Sequence, residues 1–294
     1  MKTVFGLSPD RIGPSWPWRP HVRHGSLRRL GALADLEEFS DFRLWPKTRD
    51  VSITATLMAG ADYCSLAVDS AQAAELYLAG ATLAFNGVQE WHVVLGRWLR
   101  DLARDLGLPA DLCHCNVYIS PAGAGVPKHF DSHHVISVQL IGAKLWSFAP
   151  NRVLDHPIEN HVASLPLPAA VARYSRGTPS RSMPRESTRM TMRPGSALFL
   201  PAGFWHATRA TEPSLAVTFG LRAPRWFEIL RDELSARLER LVDWREPAWG
   251  AAGTTRRRAA AEKRFASLLE RLSRDVGELE AGDLLRAAFP SGRR

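Results

Sequence analysis

Cysteine is scarce in this chain, with only Cys64, Cys113 and Cys115 among 294 residues. An odd count provides no disulfide framework, so a reducing compartment such as the cytoplasm is expected. Cys113-His114-Cys115 lacks the second ligand pair of a zinc finger, and small core residues on a strand are expected there. No run of about eighteen apolar residues occurs, so no membrane-spanning helix is expected. Residues 1–30 hold Pro, Trp and Arg but no continuous apolar stretch, which argues against a secretory signal. Internal repeats are absent, and so are low-complexity tracts beyond clustered arginine. Acidic residues are the minority, 30 against 38 basic ones, for a formal net charge of +8. Most of the excess is arginine thickening toward the C-terminus. An arginine-preferring genome explains it; the sharper alternative is an acidic or nucleic-acid partner on the basic surface.

Apolar residues are plentiful at 45%, with ten Trp, enough for a sizeable core with packed aromatics. Pro14, Pro17 and Pro20 make residues 1–30 an irregular arm, which Trp16 and Trp18 anchor to the body. Leu27 to Phe42 reads as one or two short helices. Val51 to Leu57 alternates and is β-branched, hence a strand. Ser70 to Leu78 is helical with Gly80 past its end, and residues 80–85 form another strand. Val88 to Leu106 carries a helical apolar stripe that Gly107 closes. From Asp111 the period changes to two, with strands expected at 113–119, 128–131, 135–141, 144–148, 189–192, 196–200 and 214–222. Between them, residues 151–188 form a Pro-, Arg- and Ser-rich insertion, read either as a substrate lid or as a surface excursion. Arg225 to Trp244 is helical, with Phe227, Leu230, Leu234, Leu238 and Leu241 on one stripe, and 255–289 reads as a basic helical pair. The expected division is a domain over 1–226 and a C-terminal helical region over 227–294.

The chemistry concentrates between Asn116 and Pro150. His129-Phe130-Asp131 lies on a strand, whose two-residue period sends His129 and Asp131 to one face. A third ligand is available in His206, which follows a turn at Pro194-Gly195, a short strand and a second turn at Pro201-Ala202-Gly203. Two imidazoles and one carboxylate on one face leave opposite metal positions open, the arrangement of non-haem Fe(II) oxygenases. Lys144 opens an otherwise apolar and aromatic strand, and a lysine facing a protein interior needs an anion. A dicarboxylate cosubstrate would serve. Asn116 and Tyr118 point the same way on strand 113–119 and are candidate hydrogen-bond partners for it. Taken singly, each residue has a plainer reading: Lys144 as a surface residue, His206 as a hydrogen-bonded core histidine. His133 and His134 are left outside the metal set.

The segments AAELYLAGATLAFN, NVYISPAGAGVPKHFDSHHVISVQLIGAKLW and PGSALFLPAGFWHAT resemble the JmjC-type cupin oxygenases, and within them the ribosomal oxygenase group. The resemblance spans roughly residues 40–225. It implies a mainly β, α+β fold, a double-stranded β-helix with flanking helices and a C-terminal helical region. It also implies Fe(II), 2-oxoglutarate and O2 as reactants, with His129, Asp131 and His206 as iron ligands and Lys144 on the distal carboxylate of 2-oxoglutarate. Asn116 and Tyr118 match the family's N-x-Y strand. The activity implied is hydroxylation of an amino-acid side chain in a ribosomal protein or a ribosomally made peptide. A lysine demethylase and a non-catalytic cupin-like binding protein are the alternatives. The C-terminal helices imply a homodimer; their length leaves little room for a winged-helix domain as well.

Overall fold

The structure is a computed structural model describing residues 1–6, 16–36, 39, 41, 51–59 and 62–289. Pro14 and the end of the Leu27–Phe42 segment lie outside the described residues. Backbone contacts divide the chain into two units, Met1–Ala223 and Pro224–Arg294.

The first unit holds thirteen described strands. They are β1 (His21–Arg23), β2 (Ser52–Ala59), β3 (Asp62–Val68), β4 (Thr82–Asn86), β5 (His114–Ser120), β6 (Gly125–Phe130) and β7 (His134–Ile141). Then come β8 (Lys144–Ala149), β9 (His161–Val162), β10 (Thr188–Met192), β11 (Ala197–Leu200), β12 (Trp205–Ala210) and β13 (Ser214–Leu221). Eight form one sheet in the order β1-β11-β7-β13-β5-β4-β2-β3, and five form another in the order β10-β8-β12-β6-β9. From β5 to β8, and again from β10 to β13, the chain alternates between the sheets, which is the double-stranded β-helix expected. At the β7–β8 turn Gly142 has φ 65°, and a Cβ there would strike the Pro213 carbonyl. Only glycine satisfies both demands.

The two-residue period assigns the faces of the large sheet. Cys115, Val117 and Ile119 of β5 and Ile136, Val138 and Leu140 of β7 enter the main core. His114, Asn116, Tyr118 and Ser120 lie on the other face of β5. The core is closed by α2 (Ser70–Leu78) and α3 (Val93–Leu106), which follow the single turn α1 (Lys2–Phe5). Leu95, Leu99 and Leu102 of α3 recur at spacings of four and three, one buried face of a helix. The helix expected from Val88 breaks at Trp91 and His92. His92 caps α3 by accepting from the Leu95 N–H at 3.3 Å, and residues 88–90 form a separate 3-10 turn. In the arm, Trp16 packs on Phe199 with ring centroids 4.0 Å apart, while Trp18 stays exposed.

The 151–188 insertion is a packed cover. Its strand β9 extends the smaller sheet beside β6, and its single turn α4 (Ala169–Ala172) carries Val171. Leu154, Ala163 and Val171 form a satellite core with Phe130 and Trp205. Lys128 fastens it: Nζ donates to the carbonyls of Ser180 at 2.6 Å and Ser182 at 3.0 Å, and lies 4.0 Å above the Trp205 ring. Lys128 and Phe130 alternate with His129, so this cover sits on the face of the smaller sheet opposite His129.

The second unit contains α5 (Trp226–Leu238), a 3-10 turn at 242–244, α6 (Thr255–Gly277) and α7 (Ala281–Ala288). The helix expected through Trp244 stops at Leu238. Arg264 and Arg271 of α6 pair with Asp243, and Arg264 also with Glu246, at exposed positions where such pairs contribute little.

Candidate metal centre

His129 on β6 and His206 on β12 are directly opposed in the antiparallel register. Beyond them the register shifts, and Thr208 pairs with Val126. Pro127 and Lys128 of β6 thus stand against Ala207 alone, and Pro127 has no N–H to lose at such a bulge. The two imidazoles have matching environments. His129 Nδ1 lies 2.8 Å from the Pro127 carbonyl, and His206 Nδ1 lies 3.0 Å from the Phe204 carbonyl. A carbonyl only accepts, so each Nδ1 carries the hydrogen and each Nε2 keeps its lone pair. Both lone-pair nitrogens face one carboxylate: Asp131 Oδ2 is 3.9 Å from His129 Nε2 and 3.5 Å from His206 Nε2. Asp131 lies just past the end of β6, where its backbone carbonyl accepts from Gly203 N–H at 2.7 Å. That bond ties it to the turn preceding His206.

The three ligand atoms lie within 4.8 Å of one another, the one such grouping among the described residues. Burial, and then the neighbouring His129, push His206 down to about 3, so it is neutral at physiological pH. Burial alone would raise Asp131, but the surrounding imidazoles, His129 and His206 foremost, hold its carboxyl below the usual range. Two imidazoles whose Nδ1 atoms are held by carbonyls, with one carboxylate between their Nε2 atoms, form a donor set that fits a single divalent cation.

The cluster opens into a cavity lined in part by Tyr118, Ser137, Lys144, Trp146 and Thr218. Lys144 is buried, and among the described residues no carboxylate lies within ion-pairing distance of it. Its Nζ reaches the Ser120 hydroxyl at 3.2 Å, and Ser120 in turn accepts from Thr82 at 3.0 Å. Burial lowers Lys144 to about 8. Burial, and then Asp131, push the Tyr118 phenol up to about 12, so it remains a donor. Asn116 is not part of the lining. Its Oδ1 accepts from Gly87 N–H at 3.1 Å, and its side chain hydrogen bonds to Tyr118. It therefore stands behind the phenol.

His133 packs edge-on against His114, centroids 4.8 Å apart. His134 Nδ1 accepts from Ala202 N–H at 3.1 Å, and its ring stacks on Phe199. Ser137, Trp146 and Thr218 line the cavity but were not among the sequence candidates. Parity is the signal that points to them: Trp146 shares the face of Lys144 two residues on, and Ser137 interrupts an apolar strand. Its hydroxyl meets that of Thr218 at 3.1 Å.

Residues 108–229 match the family described as the JmjC domain. Over that stretch the chain is similar to a JmjC domain. All three residues of the His-Asp-His cluster, and Lys144, fall inside it. The uncharacterized protein YxbC of Bacillus subtilis (strain 168) is 25% identical over 234 residues, 76% of this chain and 70% of that protein. The lysine-specific demethylase JMJ30 of Arabidopsis thaliana is 25% identical over 130 residues, 41% of this chain and 30% of that protein. Among solved structures, YcfD, a ribosomal oxygenase from Escherichia coli in complex with cobalt and 2-oxoglutarate, superposes with a TM-score of 0.52 at 18% identity. The match covers 89% of this chain and 66% of that one, so the chain spans about two thirds of its length. This likeness shows a shared fold around the JmjC domain.

Proposed function

We propose that the protein is an Fe(II)- and 2-oxoglutarate-dependent oxygenase that hydroxylates an amino-acid side chain of a protein or peptide, a ribosomal protein or a ribosomally made peptide. The observation that carries the reading is one cavity holding both halves of such a site. At one end are two imidazoles and a carboxylate, and at the other a buried ammonium with no counter-charge among the described residues. His129, Asp131 and His206 would hold the iron, their tautomers set by the Pro127 and Phe204 carbonyls. Lys144 would pair with the distal carboxylate of 2-oxoglutarate where burial strengthens the attraction. Tyr118 lends a neutral donor, and Asn116 holds the phenol in place. When bound, iron with 2-oxoglutarate and O2 supplies the oxidising chemistry; the protein binds, orients and excludes bulk water.

The similarity to YcfD, whose described role is that of a ribosomal oxygenase, supports hydroxylation. JMJ30, described as a demethylase, keeps demethylation as the second reading. Oxidation of an N-methyl group would release formaldehyde; hydroxylation of a carbon would leave one oxygen on the peptide. The test is aerobic incubation with ribosomal-protein peptides, read by mass spectrometry with succinate and formaldehyde assays. The proposal expects succinate and a product heavier by one oxygen. Formaldehyde with a lighter peptide would favour demethylation, and neither product with any peptide would favour a binding protein.

Three further proposals concern the whole chain. No helix among the described residues is long and apolar enough to cross a membrane, and the cysteines are free, in keeping with a cytoplasmic setting. The C-terminal unit, taken as the region from about residue 227, is read as a dimerisation element. Among its described residues only Ile229 and Leu268 are buried apolar side chains, while Trp226, Phe227, Val242, Trp249 and Phe265 are exposed. So small a core calls for a further apolar surface to pack against. The basic surface remains the one route by which nucleic acid would be bound.

A further inference from the structure

Two polar groups in the metal cavity lack the partner their chemistry calls for. One is the Lys144 ammonium. The other is the indole of Trp146, which is 6% exposed and forms part of the cavity wall. Its Nε1 is fully buried and has no hydrogen-bond acceptor among the described residues. Buried N–H groups are nearly always paired, so an orphan on a cavity wall calls for an explanation. On β8 Lys144 and Trp146 are two residues apart and project to the same side. In the β8–β12 register Lys144 is opposite Ala210, Trp146 opposite Thr208 and Phe148 opposite His206. Trp146 therefore stands along the strand between the ammonium and the level of the metal cluster. Its ring lies 5.7 Å from that of His206 at an interplanar angle of 13°.

We propose that Trp146 is a binding residue for 2-oxoglutarate, its indole N–H donating to an oxygen of the distal carboxylate beside the Lys144 ammonium. This rests on the cosubstrate proposed above. A carboxylate offers several lone pairs, so one donor from each of two neighbouring side chains fits it without leaving either unpaired. The plainer role for Trp146 is to stack on His206 and fill the wall, and phenylalanine preserves much of that while removing the N–H.

Trp146→Phe and the wild-type protein, both loaded with Mn(II), are titrated calorimetrically with 2-oxoglutarate and with 2-oxobutanoate, which lacks the distal carboxylate. The expected result is a loss of about tenfold in 2-oxoglutarate affinity, the usual worth of one hydrogen bond to a charged group. Mn(II) affinity and 2-oxobutanoate affinity should match those of the wild type. Equal 2-oxoglutarate affinity in the two proteins, or equal losses for both ligands, would overturn the assignment. Wild-type protein that binds no 2-oxoglutarate would sink the cosubstrate reading itself. Independently of any variant, the indole N–H signals of Zn(II)-loaded protein are followed by NMR during the titration. One of the ten should move strongly downfield with 2-oxoglutarate, and none doing so would count against the hydrogen bond.

Discussion

A buried ammonium without a counter-ion is a poor choice for stability and a good one for capturing an anion. Lys144 is in that position: burial favours its neutral form and lowers it from 10.5 to about 8. That is roughly 3 kcal/mol against the charged form. Between pH 8 and 10.5 the unfolded chain binds the proton that the folded chain has released, so stability of the ligand-free protein should rise with pH across that window. Lys144→Met removes the penalty. It should raise ligand-free stability at pH 7 by about 1–3 kcal/mol in urea unfolding, and flatten the rise above pH 8. The same substitution should abolish 2-oxoglutarate binding while Mn(II) affinity stays close to wild type. In the native protein that binding should weaken as pH climbs past 8, because a carboxylate gains little from a neutral amine. A stability loss in Lys144→Met, or 2-oxoglutarate binding unaffected by it, would contradict this role.

At the level of elements, the smaller sheet carries chemistry on one face and an anchor on the other. Lys128 and Trp205 precede His129 and His206 by one residue and hold the insertion on the outer face, while both imidazoles face the cavity. Lys128→Met keeps most of the stem over Trp205 but loses both carbonyl bonds, so trypsin should cut at Arg176, Arg181 or Arg185 several times faster than in the wild type. Unchanged cleavage rates, read by fragment mass, would show the cover is held by its apolar contacts alone. Much of this frame is legible in the residues themselves. β-branched alternation marks β2, β7 and β13, and the Asp69–Gln72 capping box with Gly80 brackets α2. The convergence of His129 with Asp131 follows from strand parity. Other parts leave fainter traces. β12 reads WHATRA, without alternation, and β6 begins with Gly125-Val126-Pro127, which looks like a turn until the bulge is seen. β3 is an exposed edge strand, and β9 is two residues long, held by packing rather than propensity. Trp146 is legible as an aromatic on the face of Lys144; that its N–H lacks an acceptor depends on long-range packing.

At the scale of the whole molecule, the first unit has a large core of its own, and the described residues of the C-terminal unit have almost none. The dimer proposed from that contrast predicts about twice the 32.6 kDa chain mass in light scattering. A concentration-independent monomer would contradict it. The central claim, however, is that three side chains hold one metal ion that 2-oxoglutarate then joins. The most direct test is anaerobic addition of 2-oxoglutarate to the Fe(II)-loaded protein, followed in the visible spectrum. A charge-transfer band should appear in the wild type and vanish in His206→Ala and Asp131→Ala, each still folded by circular dichroism. A wild type with no band, or variants that keep it, would contradict the claim.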